Sequence, residues 1–437
     1  MERIGRLLGA AGFVAVLSAA LPASLRAQHQ HPAPAKPGVA QAADTLASAP
    51  TSPSRPRQDS AHVADSLLRV CRPHVTHSID AYSDCIGTGI SRLSSAGNIA
   101  LALGTLDRII NDDRSLVLLG HPLAHALGYA VRSNPRTASL LLAQCDERYQ
   151  SGCYHGILQR YFDTRVGLSL AQSVLVAPCD PFRGTDQQFR LFDCLHGTGH
   201  GLMMYHAYEA QAALEDCDRL GTEWDRSSCY GGVFMEHIMG ARMQTFGEGK
   251  VGMHGHATPA ATVTLFKPGD LHYPCSATAE KYRKECYTQQ ADLILPAVKQ
   301  DYQQASTVCD AAGSANLVRA CFSGLGRNAS GAAAFGFDGI KRRCSQASPA
   351  GVSFCYEGAV RHLAYAPSEL SRGIAFCRTL PDEVDRTTCW GGLGLQIGGF
   401  YVDLDARRKA CESDRPADFA ACTNGAGVPR AVREAQQ

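Results

Sequence analysis

No CxxC knuckle occurs anywhere in the chain, and no Walker loop, dinucleotide fingerprint or Ser-His-Asp order stands out. The first absence removes tetrahedral zinc knuckles; the others leave nucleotide chemistry and covalent acyl transfer without support. An excess of either charge is lacking as well. With 42 basic and 41 acidic residues the net charge is +1, which gives no electrostatic case for nucleic acid or an anionic membrane as partner. Beyond the first residues no run is long and apolar enough to span a bilayer.

What is present begins at the first residues. Arg3 and Arg6 precede an apolar run from Leu7 to Leu21, with small residues at Ala23 and Ala27. This pattern predicts a secretory signal peptide over 1–27, and hence a periplasmic or secreted protein. No cysteine at the expected cleavage site argues for a lipid anchor. Residues 28–60, rich in Pro, Ala and Ser, read as a disordered tether. The folded part is expected over 61–426, with an insertion at about 240–273 and a disordered tail at 427–437.

Eighteen cysteines fall in chain order into nine close pairs: Cys71 with Cys85, Cys145 with Cys153, Cys179 with Cys194, Cys217 with Cys229, Cys275 with Cys286, Cys309 with Cys321, Cys344 with Cys355, Cys377 with Cys389, and Cys411 with Cys422. An even count at short, regular gaps in an exported chain predicts a disulfide framework, here paired by adjacency. The second cysteines of the last five pairs, Cys286, Cys321, Cys355, Cys389 and Cys422, step by 35, 34, 34 and 33 residues. A period this constant marks a repeat architecture. Polar, turn-rich segments lie between paired cysteines, and helix-compatible segments flank them. The predicted fold is therefore all-α: helical hairpins of about 34 residues, each turn clamped by a disulfide, stacked as a solenoid or toroid. The second helix of each hairpin, helix B, is expected to start at the second cysteine.

From Cys85 to Cys153 the step is 68, twice 34, so a cysteine-free unit should sit between, with Leu119 in the cysteine slot. Its residues agree, since His121 and His125 then take the second and sixth positions, as His196 and His200 do after Cys194. Pro122 suits a first helical turn. Ten units result. Glycine three residues after the cysteine, as at Gly156, Gly197 and Gly232, is expected to let neighbouring helices approach closely.

The hairpin length resembles tetratricopeptide-type solenoids, without the aromatic and alanine signature of that family. Cys153-Tyr154-His155-Gly156, Cys229-Tyr230-Gly231-Gly232 and Cys389-Trp390-Gly391-Gly392 resemble motifs of the lanthionine cyclases, α/α toroids that bind zinc through Cys, Cys and His. This chain repeats the motif in every unit and gives each such cysteine a nearby partner. A disulfide sulfur cannot act as a thiolate ligand, so no zinc ligands carry over.

Positions two and six after the cysteine share a helix face, and equivalent positions in successive hairpins line one surface. They place His121, His125, His155, His196 and His200 on adjacent B helices, with Gln159 beside them and Glu236 and His237 on the next. Imidazole is the commonest transition-metal ligand, and i,i+4 spacing lets two rings reach one ion. Every methionine beyond the first lies between 203 and 253; Met235, Met239 and Met243 recur at helical spacing. Thioether with imidazole favours copper, with iron and zinc the other candidates. Met235 and His237 join the candidate ligands, and Glu236 is the candidate ligand or general base. The insertion adds His254 and His256 as a candidate lid. Further along, the same positions turn to Asp292, Arg327, Glu357 and Arg361, a candidate surface for an anionic small molecule.

The leading expectation is an exported His/Met metal-binding repeat protein, engaged in metal handling or metal-dependent catalysis. A metal-free scaffold binding a protein or envelope polymer is the alternative. A third reading is a metal-free hydrolase or lyase with His155 or His200 as base.

Overall fold

A computed structural model describes residues 55–429 apart from 135, 185–186, 247–259, 261 and 335. The expected signal peptide, most of the expected tether, His254 and His256, and residues 430–437 lie outside the described residues. Among the described residues there are nineteen α-helices and no strand.

The helices alternate as hairpin units. The first four are α1 (Arg55–Cys71) with α2 (Ile79–Ser95), α3 (Ile99–Asp112) with α4 (Gly120–Tyr129), α5 (Ala138–Leu142) with α6 (Gly152–Asp163), and α7 (Gln172–Val176) with α8 (Gln188–Tyr205). The fifth pairs α9 (Ala210–Asp218) with the long α10 (Glu223–Phe246). The sixth, which carries the insertion, has α11 (Glu280–Ala297) behind a short 3-10 turn, Cys275–Ala277. Four more follow: α12 (Tyr302–Asp310) with α13 (Ala315–Ala332), α14 (Phe337–Cys344) with α15 (Val352–Leu363), α16 (Leu370–Arg378) with α17 (Glu383–Phe400), and α18 (Leu404–Ala410) with α19 (Pro416–Gly425). Each B helix packs on the B helix of the next unit, from α2 through to α19, and A helices such as α14 and α16 wedge between consecutive B helices.

All eighteen cysteines are bonded, and every disulfide joins the neighbours expected from the spacing. The first four bonds are Cys71 to Cys85, Cys145 to Cys153, Cys179 to Cys194 and Cys217 to Cys229. The other five are Cys275 to Cys286, Cys309 to Cys321, Cys344 to Cys355, Cys377 to Cys389 and Cys411 to Cys422.

Helix B does not start at the second cysteine, as the spacing suggested, but earlier. Six residues separate the start of α2 at Ile79 from Cys85, of α8 at Gln188 from Cys194, and of α10 at Glu223 from Cys229. The same lead recurs in α11 at Glu280 before Cys286, α13 at Ala315 before Cys321, α17 at Glu383 before Cys389, and α19 at Pro416 before Cys422. In α15 it shrinks to three residues, from Val352 to Cys355, and in α6 to one. Local capping is one reason for the long leads. The side chains of Ser78 and Asp382 accept the backbone N–H of Ala81 and Asp385, starting α2 and α17 nearly two turns ahead of their cysteines. Pro416 does the same for α19, its ring suiting the first helical position. In units with the long lead the bond reaches helix B in its second turn, well inside the helix.

The regular spacing of the units is enforced by backbone contact. A Cβ on Gly232 would lie 1.9 Å from the carbonyl oxygen of His196, and one on Gly199 would lie 2.1 Å from that of Cys229. Side chains at both positions are therefore excluded, and α8 and α10 touch main chain to main chain. Gly232→Ala gains up to about 1 kcal/mol of helix propensity but overpacks an interface with no room to yield, at roughly 1–3 kcal/mol or more. A lower Tm in thermal unfolding is expected; an unchanged or raised one contradicts the contact.

The row of B helices bends back on itself. α8 packs against α17, five units further along. Phe189 on α8 meets Tyr365 and Phe400 edge to face, with ring centroids 5.7 and 5.4 Å apart. The Tyr365 hydroxyl donates to Asp193 Oδ1 at 2.9 Å, while Ser151 Oγ donates to Oδ2 at 2.7 Å. The side-chain amide of Gln150 donates to His362 Nε2. No described helix is long and apolar enough to cross a membrane, and nine disulfides fit an oxidising compartment.

Candidate metal centre

Three consecutive B helices each present imidazole to one place. α4 carries His121 and His125 one turn apart, α6 carries His155, and α8 carries His196 and His200. Glycine-mediated contact between these helices brings the rings together: a Cβ on Gly156 would lie only 2.1 Å from the His125 carbonyl oxygen. His155 sits at the centre. Its ring centroid is 5.5 Å from His121, 5.3 Å from His125, 5.2 Å from His196 and 4.7 Å from His200. Two groups have ligand atoms all within 4.8 Å of one another: His121, His125 and His155, and His155, His196 and His200. Four of the five rings are buried, and His121 is partly exposed.

Burial disfavours the imidazolium form at three of these rings. It pushes His121 down to about 4, against the hydrogen bond to the Tyr149 carbonyl, and holds His155 and His196 well below the ordinary range. Neutral imidazole is the form that binds a metal. The outer hydrogen bonds are of the kind that would orient these rings toward an ion. His121 Nδ1 is 2.7 Å from the Tyr149 carbonyl oxygen, His200 Nδ1 is 2.8 Å from Glu236 Oε2, and the backbone of Ser228 bonds His196. Opposite these, His200 Nε2 and both ring nitrogens of His155 are buried with no hydrogen-bond partner among the described residues.

No family model, curated protein or solved structure matches the chain. The chemistry is therefore argued from the site itself.

Glu236 is fully buried on α10 and receives three donors: His200 Nδ1, Gln159 Nε2 at 2.8 Å and the Tyr208 hydroxyl at 2.8 Å. Gln159 thereby belongs to the carboxylate's surroundings. His237, the next residue, points elsewhere, its Nε2 lying 2.9 Å from the Leu265 carbonyl oxygen and its ring beside Tyr273. The described end of the insertion is thus fastened at His237. Met235 is half-buried, one turn beyond Gly231. A Cβ on Gly231 would lie 3.2 Å from His196 Nδ1, so this glycine leaves room beside the ring, on the helix face that Met235 shares.

Of the charged positions, Arg327 acts on the cluster directly, through His196. The Arg327 guanidinium opposes protonation of both His196 and His362, adding to burial, which pushes His362 down to about 3. Arg327 binds Asp292 at 2.5 Å and also Gln289, and Asn328 donates to the other Asp292 oxygen at 2.8 Å. Burial would raise the Asp292 carboxyl, yet Arg327 and Asn328 hold it below its ordinary value. Glu357 pairs with Arg319 at 2.7 Å. Arg361 has only a long contact, 3.4 Å, to Gln396 Oε1 and no carboxylate within ion-pair distance among the described residues.

Several residues that support the site carry no sequence signal. Tyr149, Gln150 and Ser151 are consecutive non-glycine residues in the left-handed region, at φ 56°, 50° and 58°. Each nevertheless contributes a contact, to His121, His362 and Asp193 respectively. Tyr208, also left-handed at φ 69°, reaches Glu236.

Proposed function

We propose that this chain is an exported transition-metal protein that holds copper in the five-histidine cluster, with iron and zinc the competing ions. The observation that carries the reading is the pair of imidazole triads, buried except for a partly exposed His121. Imidazole suits copper, zinc, iron and nickel alike, so charge has to discriminate. Neutral ligands in a buried site leave an ion's charge to be balanced by its surroundings, because an uncompensated buried charge is costly. Glu236, one hydrogen bond away through His200, offers a single negative charge, which matches Cu(I) better than a divalent ion. Met235, beside the space kept by Gly231, adds a thioether that favours the same ion.

Metal handling fits this arrangement better than catalysis. The Glu236 oxygens are already engaged by three donors, so its role is to position His200. Arg361 has no ion-pair partner among the described residues and would receive an anionic small molecule. The apolar run over 7–21 and the disulfides support export.

Elemental analysis of protein purified from an oxidising compartment tests the reading. Wild type is expected to carry copper stoichiometrically, and His196→Ala/His200→Ala to lose most of it with an unchanged helical circular dichroism spectrum. Protein that is metal-free and refuses added copper, iron and zinc would return the case to a binding scaffold.

A further inference from the structure

The two triads share one residue, His155. His121, His196 and His200 each commit a ring nitrogen to a partner outside the cluster: the Tyr149 carbonyl, the Ser228 backbone and the Glu236 carboxylate. A histidine ligand to a single metal ordinarily has such an outer partner, which fixes its tautomer and leaves the other nitrogen for the ion. His155 has none. Both Nδ1 and Nε2 are buried without a hydrogen-bond partner among the described residues, and the ring belongs to both triads, one with His121 and His125 and one with His196 and His200. A neutral imidazole carries an N–H at one nitrogen and a lone pair at the other, and burying both unpaired is costly.

We infer that the cluster binds two metal ions bridged by His155, one ion completed by His121 and His125 and the other by His196 and His200. This rests on the metal-binding reading above and extends it to a dinuclear site. The bridge forms when the remaining N–H of His155 is replaced by a metal–nitrogen bond, its proton leaving to solvent and the ring remaining as imidazolate. No electron is transferred. Charge then closes for two Cu(I) ions, against the imidazolate and the Glu236 carboxylate. Two Cu(II) ions exceed it by two charges and would draw an anion from solvent.

The test is a titration of the full, disulfide-bonded chain with a Cu(II) salt, following bound copper and electron paramagnetic resonance spin count together. Two equivalents are expected, with the spin count falling below half of the bound copper as the second enters and the pair couples through His155. His121→Ala removes one triad only, and should bind one equivalent whose spins are all observed. His155→Gln, checked for its helical spectrum, should show full spin for whatever copper remains. Two equivalents with full spin count in wild type, or one equivalent alone, overturn the bridge and leave the metal-binding reading standing. No bound copper here, nor in a parallel titration with Cu(I) kept reduced under argon, overturns both.

Discussion

Glu236→Leu is expected to cost the fold about 3–5 kcal/mol, the range found when one partner of a buried charged network is removed. Three buried donors, from His200, Gln159 and Tyr208, converge on this carboxylate from different parts of the chain. Leucine fills similar space but accepts nothing, so all three lose their acceptor, at roughly 1–3 kcal/mol for each buried group left unsatisfied. Glu236→Gln separates charge from shape. It retains one acceptor oxygen and loses the negative charge that strengthens His200 as a ligand. A smaller loss of stability is expected, with copper affinity weakened about 10–100-fold, the usual effect of altering an outer-sphere partner. Urea unfolding of metal-free protein and competition titration with a copper chelator measure the two effects. A leucine variant as stable as wild type would contradict the convergence of donors.

Stability should also depend on pH in a way that Asp193 sets at the alkaline end. Burial pushes its carboxyl from 3.8 up to about 8, against the hydrogen bonds from Ser151 and Tyr365. Between about pH 4 and 8 the folded chain therefore holds a proton that the unfolded chain has released. The contribution is fully present below about pH 4 and is lost as pH rises through about 8, a change on the order of 5 kcal/mol at most. Asp193→Asn keeps an acceptor for Tyr365, offers an amide N–H toward Ser151 and cannot titrate. It should match wild type near the acid end of this window and exceed it by several kcal/mol at the alkaline end. Within the acid half of this window buried histidines add a slope of opposite sign. His237 and His362, pushed down by burial to about 4 and about 3, stay neutral in the fold while the unfolded chain takes up protons below 6.5. Their contribution to stability falls as pH drops from about 6.5 through about 4, in wild type and variant alike. Denaturant midpoints at about pH 4.5, 6.5 and 8 decide the matter, and parallel curves for the two proteins would contradict the buried carboxyl.

The period and the cysteine pairs are legible in the sequence because a hairpin of fixed length repeats its markers at fixed steps. The His121/His125 and His196/His200 pairs are legible for a similar reason, since four residues make about one helical turn. Where each B helix begins is less so. Cysteine marks the place where helix is tied to its neighbour, not where the backbone first closes its hydrogen bonds, and the two differ wherever a cap such as Ser78 or Asp382 lies upstream. The inward residue of α10 is also hidden. Counting from Cys229 places Met235 at the sixth position, but Glu236 is the one that reaches His200. Which side of α10 turns inward depends on how it crosses α8, and that is set by the contacts of Gly199 and Gly232. His237 looks like a further ligand by adjacency, yet its partner is a carbonyl of the insertion, at Leu265. Tyr149 to Ser151 defeat local reasoning altogether. Three left-handed residues without a glycine are each disfavoured by roughly 1 kcal/mol or more, and only their distant partners make the run tolerable. Tyr365 lies 172 residues from Asp193, a separation that no periodic pattern encodes.

Every disulfide closes a loop within a single hairpin, with partners 8 to 15 residues apart. Covalent reinforcement therefore runs along the coil and never across it. The contacts between distant units, Asp193 with Tyr365, Gln150 with His362 and Phe189 with Phe400, are ones that heat, pH or a partner can undo while each hairpin stays intact. The hairpins are stiff links, and the seam between α8 and α17 is held by noncovalent contacts alone. An ion bound in the protein's interior would be reached by parting a seam, and released the same way, with no change in any cystine.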